Sequence, residues 1–350
     1  MAKALSAGEA KQKSFLDSYA KLVPGVSLCF IIGIISYFLG KEFPIVGGAV
    51  FGIVLGMALK NTFSIPEIMQ AGINFTAKKI LKGAIIVLGA GLSLGQVWKT
   101  GIESLSVMIC TLTAAYAAAF LFSRPLHVPE NLKHLIGTGT AICGASAIAA
   151  VAPIIEADES EIAYSISTVF FFNVLAVLIF PALGHLLGLN DYAFGLWAGT
   201  AVNDTSSAVA AGYIYSDRAG EYATIVKLTR TTMIIPIALL YAAYIASKKK
   251  AEAKRTGTSF SMAKIFPWFI LGFLGASLLN TMGLFNEAFV SGANWLGKFM
   301  IIMALVAVGL QADLKQMLKT GIRPIALGMI VWFVVSAVSL IVQHYVFGHL

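Results

Sequence analysis

The chain has 350 residues, of which 58% are hydrophobic and 12% charged, with a mean hydropathy of +0.83. Soluble globular domains carry about 25% charged residues, so this composition excludes one and assigns an integral membrane protein. The net charge of +8 is gathered in short loops between apolar runs. It therefore reads as a topology signal facing lipid headgroups and not as the solvated basic face that nucleic acid requires.

Residues 1–21, MAKALSAGEAKQKSFLDSYAK, are polar and mixed in charge. No small-residue cleavage site follows a short apolar core, so they form a cytoplasmic N-terminal tail and not a signal peptide. Residues 22–350 read as one transmembrane domain, all-α and polytopic, because apolar runs recur near the length of about 20 residues that a spanning helix needs. The alternating pattern of a β-barrel is missing. Nine full spans are expected, near 22–39, 44–59, 80–96, 101–122, 160–181, 221–246, 265–280, 293–311 and 322–346. Basic residues crowd three loops: Lys60, Lys78 and Lys79; Lys248 to Lys250, Lys254, Arg255 and Lys264 within the loop 247–264; and Lys315, Lys319 and Arg323. Placed inside, they put the amino terminus in the cytoplasm and the carboxyl terminus outside.

Two further segments, 131–155 and 192–215, do not read as ordinary spans. Each is rich in Gly, Ala, Ser and Thr and carries a helix-unfriendly cluster at its centre. Their cores are similar to each other, GTAICGASAIAAVA at 139–152 and GTAVNDTSSAVAAG at 199–212. Another pair supports a two-fold design. GLSLGQVWKTGI at 91–102 aligns with GLQADLKQMLKTGI at 309–322 at eight identical positions of twelve, after a two-residue insertion. With the basic loops inside, these two copies run in opposite directions, the sign of an inverted repeat in a transporter. Interrupted spans and re-entrant hairpins both remain open for 131–155 and 192–215. The inversion of the other pair favours segments that arrive from opposite faces and cross at the midplane.

Non-helical backbone at membrane depth is tolerated only where it packs in protein or lines a wet cavity, so the two breaks mark a candidate substrate site. In the first, Cys143, Gly144 and Ser146 stand at the centre; in the second, Asn203, Asp204, Thr205, Ser206 and Ser207. Asn, Asp, Ser and Thr serve equally to cap a half-helix or to offer hydroxyls and amides to an anion at a helix start. Ser146 and Ser206 align, so each half would offer a hydroxyl. The next span, GEYATIVKLTRTTMIIPIALLYAAY, holds Lys227 and Arg230 three residues apart on one face. Charges within a span are rare and usually functional, although Lys227 could instead snorkel to the interface. Asp204 against these two cations leaves one net positive charge when ionised and two when protonated, so Asp204 is the expected ion or proton coupling residue. Asn173 would bridge helices or line the cavity, and His134 and His185 fit interfacial solvation better than a proton relay. Cys29, Cys110 and Cys143 lie apart in apolar runs and indicate neither disulfides nor a metal site. No HExxH, GxSxG or P-loop motif is present, so neither an enzyme nor a cofactor is expected.

At GTGTAICGASAIAAVAPII (137–155), GLWAGTAVNDTSSAVAAG (195–212) and VKLTRTTMIIP (226–236), and over residues 22–347 more broadly, the chain resembles the sulphate exporter family of bacterial membrane proteins. That family is similar to the cation/proton antiporter superfamily. The resemblance implies inverted repeats, discontinuous helices crossing at the centre, a core domain moving against a scaffold, and residence in the inner membrane. The superfamily often has an Asn-Asp pair in its ion site, which Asn203-Asp204 resembles. No second acidic residue stands in the first crossing segment, a departure that weakens a purely cation-coupled reading. The expected function is secondary active export of a small anion, sulphate-like or organosulphur, coupled to protons. The alternatives are a sodium/proton antiporter using Asp204 and an anion channel. Dimers are common for this architecture, and spans 22–59 would supply the contact.

Overall fold

The computed structural model describes residues 21–43, 47–249, 268–312 and 321–348. All regular structure among them is helical, sixteen elements including one π-helical turn. Six helices are long and apolar enough to cross a membrane: Val23–Glu42, Leu94–Ser123, Ser160–Leu186, Asp217–Tyr241, Glu287–Gln311 and Ile322–Phe347. The chain divides into two compact units, Met1–Leu88 with Ser291–Leu314, and Gly89–Val290 with Lys315–Leu350.

The first unit contains α1 (Val23–Glu42), α2 (Gly47–Thr62), α3 (Glu67–Phe75), a π-helical turn (Thr76–Ile80), α4 (Leu81–Gly89, to its boundary) and most of α14 (Glu287–Gln311). The sequence places one span at 80–96. In the structure the helical path instead starts at Glu67, continues through the π turn and ends at Gly89. Pro66 supplies the start, since its ring fixes φ and cannot continue a preceding helix. An aromatic cluster pins α1 to α14: Phe30 meets Phe299 edge to face at 5.7 Å, and Trp295 Nε1 donates to Tyr37 Oη at 3.1 Å.

The second unit holds α5 (Leu94–Ser123), α6 (Glu130–Ala141), α7 (Ala145–Val151), α8 (Glu159–Leu186), α9 (Asp191–Ala201), α10 (Thr205–Tyr215), α11 (Asp217–Thr232), α12 (Ile234–Lys249), α13 (Phe269–Thr281) and α15 (Ile322–Phe347). The segment expected as one span at 221–246 is a candidate span over Asp217–Tyr241, its helix interrupted at Met233, three residues before Pro236. The ring of Pro236 removes an N–H and crowds the carbonyl four residues back, which accounts for the interruption.

Segment 192–215 folds back on itself as a helical hairpin. Asp191 at the start of α9 accepts a hydrogen bond from Ser216 Oγ at the end of α10, at 2.6 Å, and the rings of Phe194 and Tyr215 stack at 3.9 Å. A straight broken span would separate those positions by more than 30 Å. Both limbs press on the same turn of α11: Cβ atoms added at Gly195 and at Gly212 would lie 2.8 and 3.0 Å from the one carbonyl oxygen of Ala219. Only glycine permits two backbones to approach a third this closely.

Segment 131–155 also turns back on itself. Asn131 Nδ2, at the start of α6, donates to Glu161 Oε2 at 3.0 Å, and the same carboxylate accepts from the Asp158 N–H to cap α8. The descending limb α6 has twelve residues, whereas the returning limb has only the seven of α7 before irregular turns to Ala157. Helix α8 thus sets the spacing. The first hairpin has its base beside Glu161 and the second beside Gly184 and His185, where Phe194 and Tyr215 pack. Between these points α8 runs about 36 Å, with Asn173 about 18 Å from each end. There Asn173 Oδ1 accepts the Asp204 N–H of the second tip at 2.9 Å. The hairpins therefore approach from opposite ends of α8 and meet near its middle. In the other sequence pair, residues 313–320 of the second copy lie outside the described residues, as do the tail 1–20 and residues 250–267 of the basic loop.

Candidate functional site

Each hairpin exposes two kinds of helix end at its tip. Limbs α6 and α9 stop with their carbonyls there, and limbs α7 and α10 begin with their N–H groups there. A helix carries roughly half a unit of negative charge at its C-terminus and the same positive at its N-terminus. The tip residues answer both.

Lys227 and Arg230 project from α11 and are completely buried. Lys227 Nζ donates to the carbonyl of Ile142 at 2.9 Å and to that of Val202 at 2.7 Å, so one ammonium joins the carbonyl ends of both hairpins. Arg230 Nε donates to Ala141 O at 2.5 Å and Nη2 to Thr140 O at 3.1 Å, capping α6 alone. Snorkelling of Lys227, which its sequence position allowed, does not occur. Pairing with carbonyls is what makes burial of these cations tolerable, because an unpaired buried charge costs several kcal/mol. Arg230 Nη1 has no hydrogen-bond partner.

The second tip supplies the acid. Asp204 is half-buried at the N-cap of α10, its Oδ2 accepting from the Ser206 N–H at 2.9 Å and from the Ser206 hydroxyl. Asn203 beside it is 1% exposed, yet neither its amide oxygen nor its amide nitrogen has a partner. Thr205 is half-buried and Ser207 is buried. In the first tip, Cys143 is buried and Gly144 has φ +68° and ψ −134°, with Asp204 immediately across from it. A Cβ at Gly144 would lie 3.3 Å from that of Asp204. Ser146 and Ser206, matched in sequence, diverge here: Ser206 is buried against Asp204, while Ser146 is exposed on α7.

The structure thus brings together Cys143, Gly144, Asp204, Lys227 and Arg230 around the two tips, with Asn203 and Ser206 adjoining in the second tip. Ser146, in the first turn of α7, is exposed. Sequence reasoning missed the carbonyls of Thr140, Ala141, Ile142 and Val202, since backbone acceptors leave no residue-type signal. Asn173, left open between two roles, orients the second tip. Among the described residues no group of His, Cys, Asp or Glu is arranged to hold a metal ion.

Comparison with known proteins covers nearly the whole chain. Residues 24–328 match the family described as Conserved hypothetical protein 698. A UPF0324 membrane protein of Streptococcus mutans is 45% identical over 328 residues, covering 91% of this chain and 96% of that protein. Others from Fusobacterium nucleatum and Clostridium tetani are 41% and 40% identical, again over 91% of this chain and 96% of each relative. Among solved structures, the sodium proton antiporter MjNhaP1 from Methanocaldococcus jannaschii aligns over 94% of this chain and 97% of that one. The alignment has 16% identity and a TM-score of 0.29, a superposition too loose to establish a common fold.

Proposed function

The chain belongs to the Conserved hypothetical protein 698 family, whose members include UPF0324 membrane proteins, and from that premise we propose that it is a secondary active transporter of a small oxyanion. The observation that carries this reading is the charge count at the crossing. Lys227 and Arg230 are both fully buried at tips that carry one carboxylate, Asp204, so, counted as two cations and one anion, the side chains leave one positive charge in excess. The four helix ends add about two positive and two negative half-charges, which cancel. A sodium ion placed here would raise the excess to two in a medium that screens poorly, whereas an anion lowers it. Arg230 Nη1 and Asn203 Nδ2 are buried donors without partners, and an oxyanion would satisfy them. Protonating Asp204 raises the excess charge to two and matches a divalent anion, which links proton binding to anion binding.

The sulphate or organosulphur class and the outward direction of transport come from the resemblance drawn on residues 137–155, 195–212 and 226–236. Placement in the inner membrane comes from the same resemblance, and the basic loops orient the chain with the amino terminus cytoplasmic and the carboxyl terminus outside. Alternating access around inverted hairpins, and a homodimer through spans 22–59, belong to the same proposal. One observation favours a sodium/proton antiporter instead: Asn203 Oδ1 is unpartnered beside the Asp204 carboxylate, and two such oxygens suit a cation.

Uptake of labelled sulphate into proteoliposomes, with and without a sodium or a pH gradient, separates the readings. Anion transport predicts uptake driven by the pH gradient and lost in Arg230→Ala and in Arg230→Lys, the second of which keeps the charge but removes the free donor. Sodium-driven proton movement that survives both substitutions, without sulphate uptake, would overturn it.

A further inference from the structure

His134 reads in the sequence as a residue solvated at the interface, but it is buried at 7% exposure one turn into α6. Its Nδ1 lies 3.1 Å from Tyr241 Oη on α12, and its Nε2 lies 3.9 Å from Glu130 Oε1. Tyr241 Oη in turn accepts from Thr138 Oγ1 at 3.3 Å, and Thr138 Oγ1 accepts from Tyr116 Oη on α5 at 3.1 Å. In the tautomer that carries its hydrogen on Nε2, toward Glu130, His134 accepts the Tyr241 hydrogen at Nδ1. The hydrogen bonds then point one way along the whole sequence of groups. His134 and Thr138 are four residues apart on one face of α6, and both grip the same phenol.

We propose that Tyr116, Thr138, Tyr241, His134 and Glu130 form a proton-transfer string between the tip of the first hairpin and the surface at its base. It rests on the proton-coupled reading of the crossing given above. From Glu130 to Thr138 the helix covers about 12 Å. Thr138 stands two residues before Thr140, whose carbonyl holds Arg230. At the other end, the side chain of Glu130 is 60% exposed. Beside the string is a cavity of about 310 Å³ whose walls include Phe120, Ile237 and Leu240. Lys133 also faces the string, its Nζ 3.9 Å from the same Glu130 Oε1 and 5.2 Å from the ring of Phe120 that packs on His134, and Tyr244 borders the cavity.

In one passage the oxygen of Tyr116 takes a proton from the crossing side and passes its own hydrogen to Thr138. The hydrogen of Thr138 moves to Tyr241, that of Tyr241 moves to His134 Nδ1, and Nε2 releases its hydrogen to the Glu130 carboxylate. One proton enters and one leaves, and each O–H or N–H bond broken is matched by one formed. Rotation of the exposed Glu130 side chain closes the 3.9 Å gap, and reorientation of the hydroxyls and the imidazole resets the string.

Two measurements on the full chain in proteoliposomes test this. Exchange of labelled for unlabelled sulphate moves no net proton, whereas accumulation driven by a pH gradient does. Tyr241→Phe and His134→Gln are expected to keep exchange within twofold of wild type and to slow pH-driven accumulation at least tenfold. Accumulation within twofold of wild type in Tyr241→Phe overturns the string. Absence of exchange in wild type would count against the transport reading alone, and the second measurement then decides the string. In ¹⁵N-histidine NMR, with the His134 signal identified among the five histidines by its loss in His134→Gln, a neutral ring with hydrogen on Nε2 that changes in Tyr241→Phe supports it. Hydrogen on Nδ1, or a ring charged throughout pH 5 to 9, overturns it.

Discussion

Gly144→Ala tests the geometry of the crossing at its tightest point. The residue sits at φ +68° and ψ −134°, a region in which an L side chain is strained by about 1–3 kcal/mol. Its new Cβ would also stand 3.3 Å from the Asp204 Cβ and 3.5 Å from the Asp204 Cα. Backbone cannot yield as a flexible side chain does, so the second tip must shift by a few tenths of an ångström, and such overpacking adds of order 1 kcal/mol. The expected loss is about 2–4 kcal/mol, a large share of the margin that keeps a domain folded. Thermal unfolding of the detergent-solubilised protein should register this loss, and sulphate uptake should fall with it because Asp204 is displaced. Gly188→Ala is the control, since Gly188 also has positive φ (+64°) but a Cβ there meets nothing within 4 Å. Its cost should be about 1 kcal/mol, with uptake retained. Equal stability of the two variants, or full uptake in Gly144→Ala, would refute the close meeting of the tips.

Asp204→Ala removes the cap on α10 and should cost about 0.5–2 kcal/mol, whereas Asp204→Asn keeps an acceptor for Ser206 and should unfold near the wild-type temperature. Sulphate affinity should rise as pH falls in wild type, because protonation of Asp204 raises the positive excess from one to two, and should lose that dependence in Asp204→Asn. An unchanged pH profile in Asp204→Asn would break the linkage. In a background lacking Cys29, Cys110 and Cys143, Asp191→Cys with Ser216→Cys should cross-link on mild oxidation, since the native side chains already touch at 2.6 Å. Failure to cross-link under conditions that oxidise exposed thiols would contradict the hairpin at 192–215.

Much of this architecture was legible in the residues. Two clusters of Gly, Ala, Ser and Thr within apolar surroundings located both breaks, at 142–144 and 202–204, because helix-breaking chemistry at membrane depth has few other uses. Lys227 and Arg230 were legible for the same reason. Their partners were not, since carbonyl acceptors belong to the backbone and every residue has one. The unequal roles of Ser146 and Ser206 were also hidden. A repeat in sequence fixes which residues correspond, but the first hairpin returns through a seven-residue helix and the second through eleven, so equivalent hydroxyls land in different surroundings. His134 was misjudged because its position near a segment end suggested solvent, and only the packing of α12 and α5 encloses it with Tyr241 and Phe120. Helix bounds followed the same logic. The start at Glu67 depended on Pro66, and the break at Met233 depended on Pro236.

The sign of the bound ion is the most direct question to put to the crossing. Whatever binds the folded protein alone raises its stability by RT ln(1 + [L]/Kd), about 2.7 kcal/mol at a hundred times Kd. Thermal unfolding at fixed ionic strength should therefore show the midpoint rising with sulphate in wild type, staying flat in Arg230→Lys, and remaining indifferent to exchange of sodium for a large organic cation. A midpoint that rises with sodium and ignores sulphate would contradict an anion site built on Lys227 and Arg230.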